Sequence, residues 1–236
     1  MRAFAVADGL ALIEIEGAAE LRARGWVKPL LLLEGIFDAA DAARLAELKL
    51  NSTVHTLEQI VLLEQANLAA PIDVHLKMNT GMNRLGFTPD AFADAYARLA
   101  AIPAVRRITL MTHFANADEP AHPVLSMAEQ VARFRRGVAG LPEAPGRGLS
   151  LCNSGGVLHR PDLPALLASD AVRPGVMLYG GTPGGRSAAQ FGLLPAMTLA
   201  SELIAVQHVA PGEAVGYGSR FVAERAAEET FQDYIA

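Results

Sequence analysis

Short apolar runs alternate along this chain with longer stretches in which apolar residues recur every three or four positions. The short runs have the length of strands, and the longer stretches have the period of amphipathic helices. The short runs predict strands at Phe4–Ala7, Leu30–Glu34, Ser52–His55, Ile72–Met78, Val105–Thr112, Leu149–Cys152 and Ala171–Arg173. The longer stretches predict helices near Gly17–Arg24, Ala39–Leu48, Leu57–Ala69, Asp90–Ile102 and Ser126–Ala139, with Asp38, Thr56 and Ser126 as N-caps.

This alternation predicts an α/β fold with a parallel sheet. Strands separated by helices pair in parallel through right-handed crossovers, either in a (β/α)8 TIM-type barrel or in an open doubly wound sheet. A dinucleotide-binding sheet carries Gly-x-Gly-x-x-Gly after its first strand, and this chain has no such fingerprint there. The pattern therefore favours a barrel, one strand short of closure.

The pattern of apolar and polar residues changes after Pro195. Residues 196–209 form a long extended run with no helix after it, Pro211 to Glu213 predict a turn, and an apolar segment resumes at Val215. This is typical of the entrance to an antiparallel β domain. We expect three regions: a partial barrel over 1–195, the start of a β domain over 196–225, and a divergent polar tail over 226–236 that continues no strand pattern.

Composition narrows the functional class. The 236 residues are 51% hydrophobic and 19% charged with a formal net charge of −5, which is typical of a globular protein and argues against a nucleic-acid binder. The single Cys152 can form no intrachain disulfide, and no paired-cysteine metal spacing occurs. No apolar stretch reaches the roughly 18–20 residues that span a bilayer. We expect a cytoplasmic protein without a metal site.

The segment Lys77–Phe87, Lys-Met-Asn-Thr-Gly-Met-Asn-Arg-Leu-Gly-Phe, directly follows a predicted strand. Its glycines Gly81 and Gly86 permit the backbone conformations that a ligand-facing loop often needs. Such a loop can present the guanidinium of Arg84 to a carboxylate or a phosphate. A glycine-rich surface turn with solvated charges is the alternative explanation for this segment.

Three later strands also end in chemically useful groups. Thr112 leads into His113, Asn153-Ser154-Gly-Gly follows the next strand, and Arg173-Pro-Gly follows the last. In a barrel, functional groups lie at the carboxyl ends of the strands, and such turns can aim backbone N–H groups at a phosphate. Each segment alone is as typical of a turn, a rim histidine or a surface ion pair. Their joint order favours a functional site.

This ordered set resembles the alanine racemase family, whose members combine a barrel that binds pyridoxal phosphate with a C-terminal β domain. The resemblance runs from about Ala3 to about Glu224. It implies that Arg84 faces the cofactor ring oxygen and the substrate carboxylate, and that Lys77, often carbamylated in the family, holds it. It also implies that Tyr217, in Val-Gly-Tyr-Gly, is a catalytic base that reaches into the partner subunit of a homodimer, with His113 as its partner.

The remaining segments are similar to the family's cofactor-binding residues. The resemblance assigns Asn153 and Ser154 to a turn whose serine contacts the phosphate, and Gly175 and Val176 to phosphate-binding N–H groups. Arg173 is similar to the arginine that faces the pyridine nitrogen, where its permanent charge disfavours ring protonation. The implied activity is interconversion of L- and D-alanine, for D-alanine supply to the cell wall or for alanine catabolism.

Racemisation requires two opposed bases, a lysine that also forms the Schiff base and a tyrosine. The family places that lysine in Lys-Ala-Asn-Ala-Tyr-Gly-His-Gly, and none of Lys28, Lys49 and Lys77 stands in such a motif. We expect Lys28 and Lys49 to be solvated. The resemblance therefore implies a barrel without its first strand and helix, inactive alone. The alternatives are a non-catalytic or vestigial pyridoxal-phosphate-binding fragment and a single-domain pyridoxal-phosphate homeostasis protein, against which Tyr217 and the β-domain entrance count.

Overall fold

A curled sheet of six parallel strands forms the centre of the chain. The computed structural model describes residues 2–144, 147–159, 169–225 and 227–230. The strands pair in sequence order as β1 (Leu10–Leu12), β2 (Leu30–Leu32), β3 (Asn51–Val54), β4 (Ile72–Lys77), β5 (Val105–Met111) and β6 (Leu149–Ser150). All five pairings are parallel, which confirms the predicted partial barrel.

Six helices accompany these strands. They are α1 (Ile15–Ala23), α2 (Ala39–Glu47), α3 (Leu57–Gln65), α4 (Phe92–Ala100), α5 (Met127–Val138) and the short α6 (Ser154–Leu158), which the sequence pattern did not predict. The three predicted N-caps are confirmed, because the side chains of Asp38, Thr56 and Ser126 accept from the backbone N–H three residues later. Helix α3 ends four residues before its predicted end, with Ala66 already extended.

The alternation along β4 divides the sheet into two faces. Ile72, Val74 and Leu76 are buried in one core with helix side chains such as Phe92 and Leu99. The alternate positions Asp73, His75 and Lys77 pair in register with Arg107, Thr109 and Met111 of β5 and share the opposite face with them. The inner face of the sheet is therefore polar at the strand where the predicted site begins.

Two predicted strands are wrong in place or extent. Residues 4–7 form no strand. Arg2–Phe4 is a 3-10 turn, and the Lys28 ammonium donates hydrogen bonds to the carbonyls of Ala5 and Ala7, each at 2.7 Å. These contacts also correct the expectation that Lys28 is solvated. The ladder begins instead at Leu10, whose N–H donates to Pro29 O.

The predicted strand at 171–173 is reduced to a single bridge between Ser150 and Ala171. The backbone N–H of Arg173 donates to Cys152 O, and its guanidinium turns back toward β5 and β6. Pro174 follows, and proline has no N–H to continue a ladder. The described part of the chain therefore has six strands in this sheet instead of the seven predicted.

By its internal contacts the chain divides into two units, Met1–Leu194 and Pro195–Ala236. In the second unit, strand β7 (Val206–Val209) pairs antiparallel with β10 (Ala227–Thr230), and β8 (Ala214–Val215) pairs antiparallel with β9 (Phe221–Val222). Strand β10 corrects the expectation that the tail continues no strand pattern. Residues 226 and 231–236 of that tail lie outside the described residues. Among the described helices, none is long and apolar enough to cross a bilayer.

Candidate active site

The carboxyl ends of β4, β5 and β6 bring the predicted site residues of the barrel together. Lys77 is the last residue of β4, and His113 follows β5 by two positions. Lys77, Arg84 and His113 line one narrow recess, together with Met78, Asn79, Met82 and Leu85. The second unit has a wider, open depression lined by Val215, Tyr217, Arg220 and Phe221. We place the site at the recess because the buried ionisable groups are there.

The Arg84 loop, residues 78–86, folds back onto the end of β4. Phe87 N–H donates to Lys77 O at 2.9 Å, and Asn79 N–H donates to Phe87 O at 2.8 Å. The Asn79 side-chain oxygen accepts from the N–H groups of Gly81 and Asn83, both at 3.0 Å. These bonds close a compact loop from which Arg84 projects as an exposed side chain.

Lys77 is a buried cation at the base of this loop. Its side chain is 7% exposed, and no described carboxylate forms an ion pair with it. Burial, helped by the positive charges of Arg84 and Arg173, lowers the pKa of Lys77 to about 8, against a weaker opposing effect of Glu34. Roughly a tenth of the amine is therefore neutral at pH 7.

His113 is held in its neutral form. Burial, followed by the charges of Arg173, Lys77 and Arg84, lowers the pKa of His113 to about 4. A neutral imidazole has one nitrogen that can accept a hydrogen bond at neutral pH. The ring can therefore accept a hydrogen bond at one nitrogen and donate one from the other.

Arg173 is fixed by neutral oxygens at the ends of two strands. One guanidinium nitrogen donates to Ser150 O at 2.7 Å and to Ser150 Oγ at 2.6 Å, and the other donates to Thr112 O at 2.6 Å. Burial lowers the pKa of Arg173 to about 10, which still leaves the group charged at neutral pH. The guanidinium thus contributes a fixed positive charge with which no described carboxylate forms an ion pair.

Ser154 and the turn after Arg173 form the predicted phosphate-binding set. Ser154 is 4% exposed, and its Oγ accepts from Gly175 N–H at 2.9 Å and from Met177 N–H at 3.4 Å. Because Oγ is the acceptor in both contacts, its own proton remains available to an anion. A Cβ added to Gly175 would meet nothing within 4 Å, so there is open space beside these donors. A hydroxyl beside a turn of backbone N–H groups fits a phosphate.

The other predicted residues differ in their surroundings. Asn153 caps α6 by accepting from Gly156 N–H, and its amide donates to Phe114 O, so it ties the phosphate turn to the segment after β5. Val176 is 46% exposed beside Gly175. Tyr217 lies in the second unit, and its side chain is fully exposed.

Sequence reasoning missed several polar residues beneath this site. The hydroxyl-bearing residues Thr80, Thr112 and Ser150 are completely buried, and His75 has a buried Nδ1 with no hydrogen-bond partner among the described residues. Burial and neighbouring arginines lower the pKa of His75 to about 4. The alternation of Asp73, His75 and Lys77 in the sequence indicates a row of polar side chains on the inner face of the sheet. The roles of the three buried hydroxyl-bearing residues could not be found in this way, because they depend on contacts between segments far apart in the sequence.

Comparison with known proteins decides the family. Residues 1–183 match the family model "Alanine racemase, N-terminal domain". The chain is 56% identical over 223 residues to an alanine racemase of Janthinobacterium sp. (strain Marseille), covering 94% of this chain and 60% of that protein. The chain belongs to the alanine racemase family.

Solved structures agree with this membership. The biosynthetic alanine racemase from Pseudomonas aeruginosa is similar with a TM-score of 0.82 and 42% identity, over 97% of this chain and 62% of that one. A histidine racemase from Leuconostoc mesenteroides is similar with a TM-score of 0.72 and 26% identity, over 93% and 58% of the two chains. This chain spans about 60% of the length of the curated relative above. The same barrel therefore occurs in racemases named for different amino acids.

Proposed function

We propose that this chain supplies the cofactor-binding barrel of an alanine racemase, a cytoplasmic homodimer that interconverts L- and D-alanine with pyridoxal phosphate. The observation that carries the proposal is the convergence of Lys77, Arg84, His113 and Arg173 with the Ser154 hydroxyl at the strand ends. Such a cluster favours a ligand that has a phosphate and a carboxylate. Alanine is preferred over histidine because the relatives of high identity are named alanine racemase.

Pyridoxal phosphate, when bound, supplies the electron sink that makes the α-proton of an amino acid acidic. The residues present fit this group. The Ser154 hydroxyl and Val176 N–H would hold the phosphate, with Asn153 fixing the turn. Gly175 N–H, which donates to Ser154 Oγ in this structure, would turn from the serine to the phosphate when the cofactor binds. Arg173 would face the ring nitrogen, and its fixed charge would keep that nitrogen unprotonated.

Arg84 would bind the substrate carboxylate, and Lys77 would hold Arg84 in place. The buried ammonium of Lys77 and the positive charge of Arg84 repel each other unless a negative charge lies between them. The Lys77 pKa of about 8 leaves some neutral amine, whose nitrogen can bond to the carbon of carbon dioxide with release of one proton, and the resulting carbamate would supply that charge. Lys77 is therefore proposed to act as a carbamylated lysine.

His113 and Tyr217 would manage one of the two proton transfers. The N–H of the neutral His113 ring can donate a hydrogen bond to the phenolate oxygen of Tyr217 contributed by a second copy of the chain. The positive charges of Arg84 and Arg173 would favour the phenolate, which is needed because a phenol with a pKa of about 10 is a weak base at neutral pH. Tyr217 would then remove or return a proton on one face of the α-carbon.

The lysine that serves the other face has no counterpart at the motif in these 236 residues, so we propose that this chain alone is inactive. Loss of one general base costs about 10²–10⁴ in rate. The second candidate is a non-catalytic fragment that binds pyridoxal phosphate. It is favoured by the presence of the phosphate-binding set in a chain without that lysine motif.

A racemisation assay separates these candidates. The 236-residue chain and a longer form bearing the lysine motif and a complete β domain are each mixed with pyridoxal phosphate and L-alanine or L-histidine. We expect D-alanine from the longer form only, at a rate of order 1–10³ per second. Tyr217→Phe should abolish this rate, whereas Tyr179→Phe, an exposed tyrosine outside the proposed set, should preserve it. Normal turnover by the 236-residue chain, or preferential turnover of histidine, would overturn the proposal.

A further inference from the structure

We propose that Thr112 is a positioning residue that holds the Arg84 loop and the Arg173 guanidinium against each other. Thr112 directly follows β5, immediately precedes His113, and is completely buried. Its hydroxyl, its carbonyl and its N–H each bond a different part of the site. This inference rests on the proposed function only for the identity of the ligand that Arg84 and Arg173 would bind. The hydrogen bonds of Thr112 are present without that ligand.

The hydroxyl of Thr112 is bound to two residues of the Arg84 loop. Thr112 Oγ1 donates to Met78 O at 2.9 Å and lies 2.8 Å from Thr80 Oγ1. A carbonyl oxygen only accepts, so the single hydroxyl proton of Thr112 is committed to Met78, and Thr80 must be the donor in the second bond. Thr80 is also completely buried. The pair therefore fixes the first residues of the Arg84 loop by two directed bonds.

The backbone of Thr112 is bound to Arg173 and β6. Thr112 O accepts from the Arg173 guanidinium at 2.6 Å, and Thr112 N–H donates to Ser150 O at 3.3 Å. Ser150 O and Oγ accept from the other guanidinium nitrogen. A displacement of Thr112 would therefore move the guanidinium and the loop relative to each other.

The hydrogen bonds that join Thr112 to the Arg84 loop and to Arg173, here called the Thr112 junction, suit a site for an anion. A carboxylate at any of these positions would hold Arg173 strongly but would neutralise its charge. Hydroxyl and carbonyl oxygens hold the guanidinium in place and leave its charge for a ligand. A buried hydroxyl with both its bonds satisfied also specifies one arrangement, because any other leaves a polar group unpaired.

The His113 ring reports on this arrangement without any ligand. The charged groups that act on it are Arg173, Lys77 and Arg84, all of which lower its pKa in addition to burial. If the junction loosens, the guanidinium groups move away and water enters the recess. The pKa of His113 should then rise.

The test is a proton NMR titration of His113 in the ligand-free chain. We expect Thr112→Val, which is similar in shape but has no hydroxyl, to raise the pKa of His113 from about 4 to roughly 4.5–5. Thr112→Ser keeps the hydroxyl and should keep the pKa near that of the wild type. Thr109→Val is the matched control, a buried β5 threonine with no bond to Arg173 among the described contacts.

A pKa of His113 that is unchanged in Thr112→Val, or raised equally in Thr109→Val, would overturn the proposal. If Thr112→Val does not fold, Thr80→Val decides, because it removes only the outer bond: a raised pKa supports the proposal and an unchanged pKa overturns it. Pyridoxal phosphate binding is measured in parallel. Absence of binding by the wild type would contradict the proposed function while leaving the titration to judge Thr112.

Discussion

At the scale of single residues, the rings of His75 and His113 make the stability of the barrel depend on pH. Both rings have a pKa lowered from 6.5 to about 4, mainly by burial and then by Arg173. A histidine whose pKa is lower in the folded state than in the unfolded state favours folding in its neutral form and opposes folding when it is protonated. The stabilisation is therefore fully present above pH 6.5, where both states are neutral, and is lost as the pH falls toward 4.

We predict acid lability that follows from these rings. The free energy of unfolding should fall by about 3 kcal/mol per ring between pH 7 and pH 4. His75→Gln should flatten this dependence in urea titrations at several pH values. His208→Gln, at an exposed position in the second unit, should leave it unchanged. A dependence equally steep in His75→Gln would show that the His75 ring does not carry it.

Much of the site was predictable at this scale because side chains at strand ends converge in any parallel barrel. Lys77, His113 and Arg173 could be recognised from their positions after apolar runs. Thr112 could not, because its role depends on the pairing of β4 with β5, which brings it to a residue 34 positions earlier in the chain. Likewise, Met177 supplies an N–H to Ser154 that the motif did not single out.

At the scale of elements, the Arg84 loop depends on a glycine that no other residue can replace. Gly86 has φ +120°, and a Cβ there would lie 2.7 Å from Asn79 N and 2.8 Å from Met78 C. Both neighbours are backbone atoms of the loop itself, so they cannot rotate away. The close approach permits the bridge between Met78 and Phe87 that closes the loop.

Gly86→Ala should therefore destabilise the chain by about 2–4 kcal/mol, combining backbone strain with steric overlap. Gly140→Ala is the control, since Gly140 also has positive φ (+80°) but has nothing within 4 Å of an added Cβ. We expect that change to cost only about 1 kcal/mol. Thermal or urea unfolding measures both. Equal losses would mean that the conformation, and not the crowding, governs Gly86.

The first strand shows a position that the pattern of apolar residues alone does not predict. Two apolar runs flank Asp8 and Gly9, and the sequence pattern does not distinguish which one enters the sheet. The register is decided by bonds from Leu10 to Pro29 and from Lys28 to the earlier carbonyls, which are tertiary contacts. Strand order and direction, in contrast, follow from the alternation with helices and are confirmed.

At the scale of the whole molecule, the described residues form a sheet that has β1 at one edge and β6, with its single bridge to Ala171, at the other. The proposed cofactor-binding set lies toward the β6 side, at the ends of β4, β5 and β6 and in the turns after them. The account therefore separates two properties. Binding of the phosphate and ring should be retained by this chain, while turnover should not.

Calorimetric titration with pyridoxal phosphate, and with pyridoxal as the ligand without phosphate, tests this separation most directly. We predict that the chain binds pyridoxal phosphate clearly more tightly than pyridoxal. Ser154→Ala should weaken pyridoxal phosphate by about 10–100-fold, the effect of a hydrogen bond to a charged group, and Ser201→Ala, an exposed serine of the second unit, should not. Equal affinities for the two ligands, or a Ser154→Ala variant that binds like the wild type, would contradict the account.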